Sequence, residues 1–212
     1  MSTPGITDLF VLTADSQQQA TIETLLTRRR PSLGIRPSSF EIQRHANSDP
    51  GCRTDSPTLL RSLRARFSRA MVIFDLEGSG SGALSAVELE AQLEEAIQRT
   101  GWESGSVATI VIEPELEAWL FGANFTRLEQ TTGWSQPQQL RLWLEERNFL
   151  NGRTVKPTDP KGAIEATLQE THRPRNAQLY QEVARHTGLA HCQDRAFRKF
   201  RDTLRNWFPA GQ

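Results

Sequence analysis

Four short stretches of this 212-residue chain concentrate side chains able to do chemistry. Asp75 and Glu77 flank Leu76 and run directly into a glycine-rich loop, Gly78-Ser79-Gly80-Ser81-Gly82. Three acids alternate in Glu113-Pro114-Glu115-Leu116-Glu117, and Asp15 follows an apolar run. Lys156-Pro157-Thr158-Asp159-Pro160-Lys161 holds two of the three lysines, the third being Lys199. Acids gathered at one place repel each other, which raises some of their pKa values or recruits a divalent cation. A set of oxygen ligands alone favours Mg2+ or Mn2+ over zinc. In the loop, the backbone of Gly78, Ser79 and Gly80 is free to approach a phosphate closely. Asp159 is placed to cap a helix starting at Pro160, which puts Lys161 in the first turn, where the helix dipole disfavours a cation. A neighbouring anion or carboxylate would account for that placement. The plainer account is that each acid caps a helix and each lysine is solvated, and the residues alone leave both open.

These groups must be held by a scaffold, and its pattern is legible. Ile6 to Thr13 reads as a β-branched and aromatic strand. Ser16 is the expected N-cap of the following helix, with Gln19 as its capping-box partner and Ile22, Leu25 and Leu26 as its buried stripe. Ser39 to His45 alternates as a strand, and Asn47-Ser48-Asp49-Pro50-Gly51 reads as a loop by its turn residues. Pro57 opens a helix through Leu59, Leu60, Leu63 and Phe67. Ala70 to Phe74 is the most hydrophobic strand and belongs in the middle of a parallel sheet. Ser85 and Glu88 form a capping box for a helix ending near Gly101, with Ala86, Leu89, Leu93, Ala96 and Ile97 facing inward. Val107 to Ile112 is a fourth strand, and Pro114 starts a helix bearing Trp119 and Leu120.

The alternation over about residues 6–122 implies an α/β fold with about four mostly parallel strands covered by helices. The expected organisation is an α/β core over 1–122 and a helical C-terminal extension over 123–212, packed as one unit. Helices are expected near 137–147, 161–171, 176–187 and 194–207. In the last of these, Phe197, Phe200, Leu204 and Trp207 with Phe208 read as a docking stripe. In open α/β sheets ligands collect at the carboxyl ends of the strands, and that rule brings Asp15, Asp75, Glu77, Glu115 and Glu117 to one edge.

Composition narrows the function classes. No apolar stretch reaches the roughly 20 residues that a membrane span needs. Residues 1–5 lack the features of a secretory signal. Cys52 and Cys192 form neither a disulfide framework nor a zinc motif, so a cytoplasmic address is expected. Neither a Walker loop nor a dinucleotide fingerprint occurs. The formal net charge is zero, yet ten arginines between Arg28 and Arg69 face Glu41, Asp49 and Asp55, whereas Asp75 to Glu117 carries ten carboxylates against Arg99. Basic surfaces flanking an acidic middle suit a polyanion; ordinary solvated helix faces produce the same counts.

The strand–acid–helix order and the apolar strand ending in Asp75-Leu76-Glu77-Gly78 resemble the TOPRIM superfamily. The runs from Val72 to Gly78, Ile112 to Trp119 and Lys156 to Lys161, with the tail Phe197-Arg198-Lys199-Phe200, resemble small TOPRIM-like accessory proteins of bacterial methylation-associated anti-phage defence systems. This resemblance covers most of the chain. It implies a TOPRIM/Rossmann-like fold and a nuclease-like, Mg2+- or Mn2+-dependent phosphodiester chemistry on nucleic acid, with other defence-system proteins as partners and no membrane. It further implies Asp75 and Glu77 as a metal pair, Glu115 and Glu117 as added ligands, and Asp15 as the acid after the first strand. Lys161 would stabilise phosphate charge, with Lys156 beside it. The chain departs from the pattern at Ala14-Asp15, where the family has a Glu-Gly pair, and has D-x-E where the family has D-x-D. Those departures leave a second expectation, a degenerate adaptor or sensor that binds phosphate, nucleic acid or a partner. Tyr180, the only tyrosine, is far in sequence from the acids, so a covalent tyrosine mechanism is not expected.

Overall fold

The computed structural model describes residues 6–122, 125–152, 154, 156–186 and 192–211. The alternation seen in the sequence becomes a four-stranded, all-parallel sheet of order β2-β1-β3-β4, from β1 (Thr7–Thr13), β2 (Phe40–Arg44), β3 (Phe67–Asp75) and β4 (Val107–Ile112). Because side chains alternate across a strand, each strand supplies two cores. Leu9, Val11, Met71, Ile73, Ile110 and Ile112 face one layer; Phe10, Leu12, Val72, Phe74 and Val111 face the other. The first layer is covered by α1 (Ser16–Arg28) and α2 (Arg30–Leu33). With them lie the C-terminal helices: α5 (Glu117–Phe121), α6 (Phe125–Thr132), α7 (Leu140–Glu146), α8 (Pro160–Glu170), α9 (Ala177–His186) and α10 (Arg195–Trp207). The second layer is covered by α3 (Ser48–Arg61) and α4 (Ala86–Gln98).

The helical extension therefore shares a single hydrophobic cluster with the sheet. Phe197, Phe200, Leu204 and Phe208 are buried, and Phe197 packs edge-on against Trp119 with ring centroids 5.2 Å apart. Trp207 is only partly buried, packed against the edge of that cluster. No helix among the described residues is long and apolar enough to cross a membrane. Residues 1–5, read for a leader, and residue 187, the expected end of α9, lie outside the described set.

Several local expectations are corrected. The helix expected from Pro57 begins at Ser48, so the segment read as a loop is its first turn. Pro50 is tolerated there because a first-turn N–H has no intrahelical partner. Gly51 is a packing glycine, since a Cβ on it would lie 2.0 Å from His45 Nδ1. That helix ends at Arg61, and Phe67 opens β3 instead of closing the helix. Asp15, not Ser16, caps α1: its carboxylate accepts from the Gln18 backbone N–H at 2.7 Å. Pro114 does not begin a helix; it follows a cis peptide bond, and α5 starts at Glu117. The capping box of Ser85 and Glu88 forms as expected.

Candidate functional site

The strand order reverses between β1 and β3, because β2 leaves on one side of β1 and the chain returns through α3 to β3 on the other. This is the switch-point geometry at which open parallel sheets bind ligands, at the carboxyl ends. Asp15 follows β1 and Asp75 ends β3. A third acid joins them from the segment whose turn residues predict a loop. Asp49, in the first turn of α3, accepts a hydrogen bond from the Asp75 backbone N–H through Oδ1 at 2.8 Å. Gln18 completes the cluster: Nε2 donates to Asp75 Oδ1 at 3.0 Å, while Oε1 accepts from the Ala14 N–H at 3.0 Å.

The electrostatics of this cluster are unfavourable as it stands. Burial pushes the Asp75 carboxyl well above the ordinary range, and the charges of Asp49, Glu117 and Asp15 push the same way; the Leu116 N–H opposes them. Asp49 is also raised, chiefly by burial, with Asp15 adding to it. Among the described residues, Asp15, Asp49 and Asp75 form no ion pair with a lysine, arginine or histidine.

The acids after β4 have a different environment. Glu117 is buried and accepts from Arg175 Nη2 and from the Tyr180 hydroxyl, each at 2.5 Å, while Arg175 Nε donates to the Tyr180 oxygen at 2.9 Å. Tyr180 thus lies beside an acid, although far from it in sequence. It is fully buried, and burial together with Glu117 raises its pKa, so it is a clamp between α5 and α9 rather than a nucleophile. Glu115 accepts from Lys161 Nζ at 2.8 Å. Burial raises Glu115, and the hydrogen bond to Glu115 in turn raises Lys161. The lysine set against a helix dipole thus has its carboxylate. Glu77 is exposed, and its charge is felt at Glu115.

Two residues expected at a phosphate have partners within the chain. Ser79 is buried and its hydroxyl donates to the Leu76 carbonyl at 2.7 Å, so that hydroxyl is engaged within the loop. Arg53 Nε holds the loop from beneath by donating to the Ser79 carbonyl at 2.8 Å. Gly78 and Gly80 both have positive φ, +82° and +70°, which only glycine adopts without strain, and they are exposed. Lys156 is paired with Asp194, the cap of α10, and with none of the strand-end acids among the described residues.

The edge therefore brings together Asp15, Asp49, Asp75, Glu77, Glu115, Glu117, Lys161 and Arg175 as one mixed-charge constellation. As it stands, among the described residues no three His, Cys, Asp or Glu side chains are gathered so as to ligate one ion. The fit to a divalent cation rests instead on two carboxylates, Asp49 and Asp75. Asp49 was detectable from sequence by extending the strand-end rule to the second strand. Gln18 and Arg175 carried no local signal. Neither family models, nor curated proteins, nor solved structures give a match to this chain.

Proposed function

We propose that the carboxyl edge is the centre of a divalent-cation-dependent, nuclease-like phosphodiester chemistry on nucleic acid, in a protein similar to TOPRIM-like components of bacterial anti-phage defence. The observation that carries this reading is the Asp49–Asp75 pair. These two carboxyls lie at the switch point, both are raised, and no cationic side chain among the described residues pairs with either. Mg2+ characteristically takes one or two carboxylates and fills its shell with water and substrate phosphate, so a two-acid set suits it where it would not suit Ca2+ or zinc. Asp49 and Asp75 would hold the ion, with Asp15 and Glu77 at the rim. The ion would supply positive charge at a phosphoryl oxygen. Lys161 and Arg175, already on Glu115 and Glu117, would face the substrate's remaining negative charge.

Mn2+ titration and a cleavage assay test this together. Asp49→Asn and Asp75→Asn, each folded by circular dichroism, should lose Mn2+ binding and at least about 100-fold of EDTA-sensitive cleavage, the scale of one lost electrostatic contact in a transition state. Cleavage that survives both changes and ignores EDTA would defeat the reading.

A second reading is favoured by the commitments of the other acids. Asp15 is spent capping α1, and Glu115 and Glu117 are neutralised by Lys161 and Arg175. On that reading the chain is a catalytically degenerate adaptor or sensor for phosphate, nucleic acid or a defence partner. It requires no Mn2+ binding by the wild-type protein, so the same titration separates the two.

A further inference from the structure

A line of arginines runs along α9 towards the carboxyl edge. Three shallow depressions follow one another there. The first, of about 270 Å3, is lined by Arg28 of α1 and Arg185 of α9. The second, of about 330 Å3, shares Arg185 and adds Arg127 and His186. The third, of about 280 Å3, shares Glu182 with the second and is lined by Arg173 and Asn176. Two residues beyond Arg173, Arg175 bonds Glu117 at the edge described above.

Arg28, Arg127, Arg173 and Arg185 have no carboxylate partner among the described residues. Arg127 donates to the Gln130 side chain and Arg173 to the Thr131 carbonyl, both neutral, so their charge is oriented and uncompensated. The acids in the track are Glu23 and Glu182. A helix C-terminus favours a cation, which accounts locally for Arg28 and Arg185. It does not account for Arg127 or Arg173.

We propose that this track is a binding surface for the phosphodiester backbone of nucleic acid. Arginine presents a planar fork matched to phosphate oxygens. The 10-residue helix α9 is about 15 Å long at 1.5 Å per residue, the rise of about four nucleotides of one strand. Among the described residues no Phe, Tyr or Trp lines the three depressions and His186 is the one aromatic ring there, so the contact is chiefly to the backbone, with little sequence preference. That the track delivers its strand to a reacting centre rests on the function proposed above; that it binds the strand does not.

Fluorescence anisotropy with labelled oligonucleotides of about 20 residues, in EDTA and over about 50–200 mM NaCl, tests the proposal. Single-stranded DNA, the matching RNA and a duplex form the probe set. Combined Arg28→Gln, Arg127→Gln and Arg185→Gln should weaken binding at least about 10-fold and flatten the slope of log K against log salt by about 2. Arg64→Gln with Arg69→Gln, which line a separate depression beside Trp102, should change neither, and all variants are checked for an unchanged melting temperature. Wild-type affinity in the triple variant, equal loss in both variants, or no binding of any probe at about 50 mM salt each overturns the track. EDTA blocks the proposed cleavage, so binding is read here by itself: binding here with no cleavage in the separate Mn2+ assay sinks only the reading of the edge, and Mn2+-dependent cleavage without binding here sinks only the track.

Discussion

Two acidic regions of this molecule have similar composition and opposite electrostatics. On the outer flank of β4, Glu90 and Glu94 of α4 take up the backbone of the edge strand. Glu90 accepts from the Val111 N–H at 2.9 Å, and Glu94 from the Thr109 N–H at 2.8 Å. Arg195 and Lys199 of α10 then pair with Glu90, and Lys199 also with Glu94. Every charge is matched, and an edge that would otherwise offer unpaired backbone groups is closed. At the carboxyl edge, Asp49 and Asp75 lie together with a neutral amide, Gln18, and among the described residues no cationic side chain pairs with either. A matched acidic network explains itself as structure. An unmatched one is a cost to folding, and such costs concentrate at functional sites.

The contrast is sharpest under substitution. Glu90→Ala leaves Arg195 without its carboxylate and the Val111 N–H without its acceptor in a place where Glu90 is 3% exposed, while Lys199 keeps Glu94. Breaking such a buried pair should cost about 3–5 kcal/mol, read as a fall in thermal midpoint or in urea midpoint at constant m-value. A near-zero cost would remove the distinction between the two regions.

Asp75→Asn should move stability the other way. The folded carboxyl is raised above its ordinary value of 3.8, so the folded state binds the proton more tightly than the unfolded chain. Stability then falls as pH rises from the ordinary carboxylate range to the raised folded value. Asparagine mimics the protonated acid and keeps an acceptor for Gln18. We expect a gain in stability near pH 8 that shrinks towards zero near pH 4, measured by denaturant titration across pH. A loss at pH 8 would mean that Asp75 is held by charge pairing after all.

The smallest effect belongs to Lys161→Met. Its ammonium is partly exposed while Glu115 is mostly enclosed, so the pair resembles a surface bridge and its loss should cost under about 1 kcal/mol in thermal stability. A larger loss would move Glu115 and Lys161 into the structural class occupied by Glu90.

Much of the scaffold was readable because its signals are local. Strand periodicity, the Ser85 capping box and the apolar stripe of α10 each involve residues within a turn or two. The exceptions are places where a local rule meets a tertiary contact. Asp49-Pro50-Gly51 has turn chemistry, but proline is free in a first turn and glycine was needed against His45. Ser16 could cap α1, yet Asp15 is the residue whose backbone stays extended at the end of β1.

For the site, the sequence by itself placed Asp15, Asp75, Glu115 and Glu117 after strands, and parallel strands necessarily end at one edge. It also marked Lys161 as a cation set against a helix dipole, leaving open whether an anion or solvent accounts for it. Only the tertiary structure decided which acids remain unmatched. Glu117 found Arg175 and Tyr180, 58 and 63 residues away, whereas Asp75 found Gln18 and Asp49. Pairing of charges depends on distances of a few ångströms between elements remote in the chain, and no local pattern encodes those.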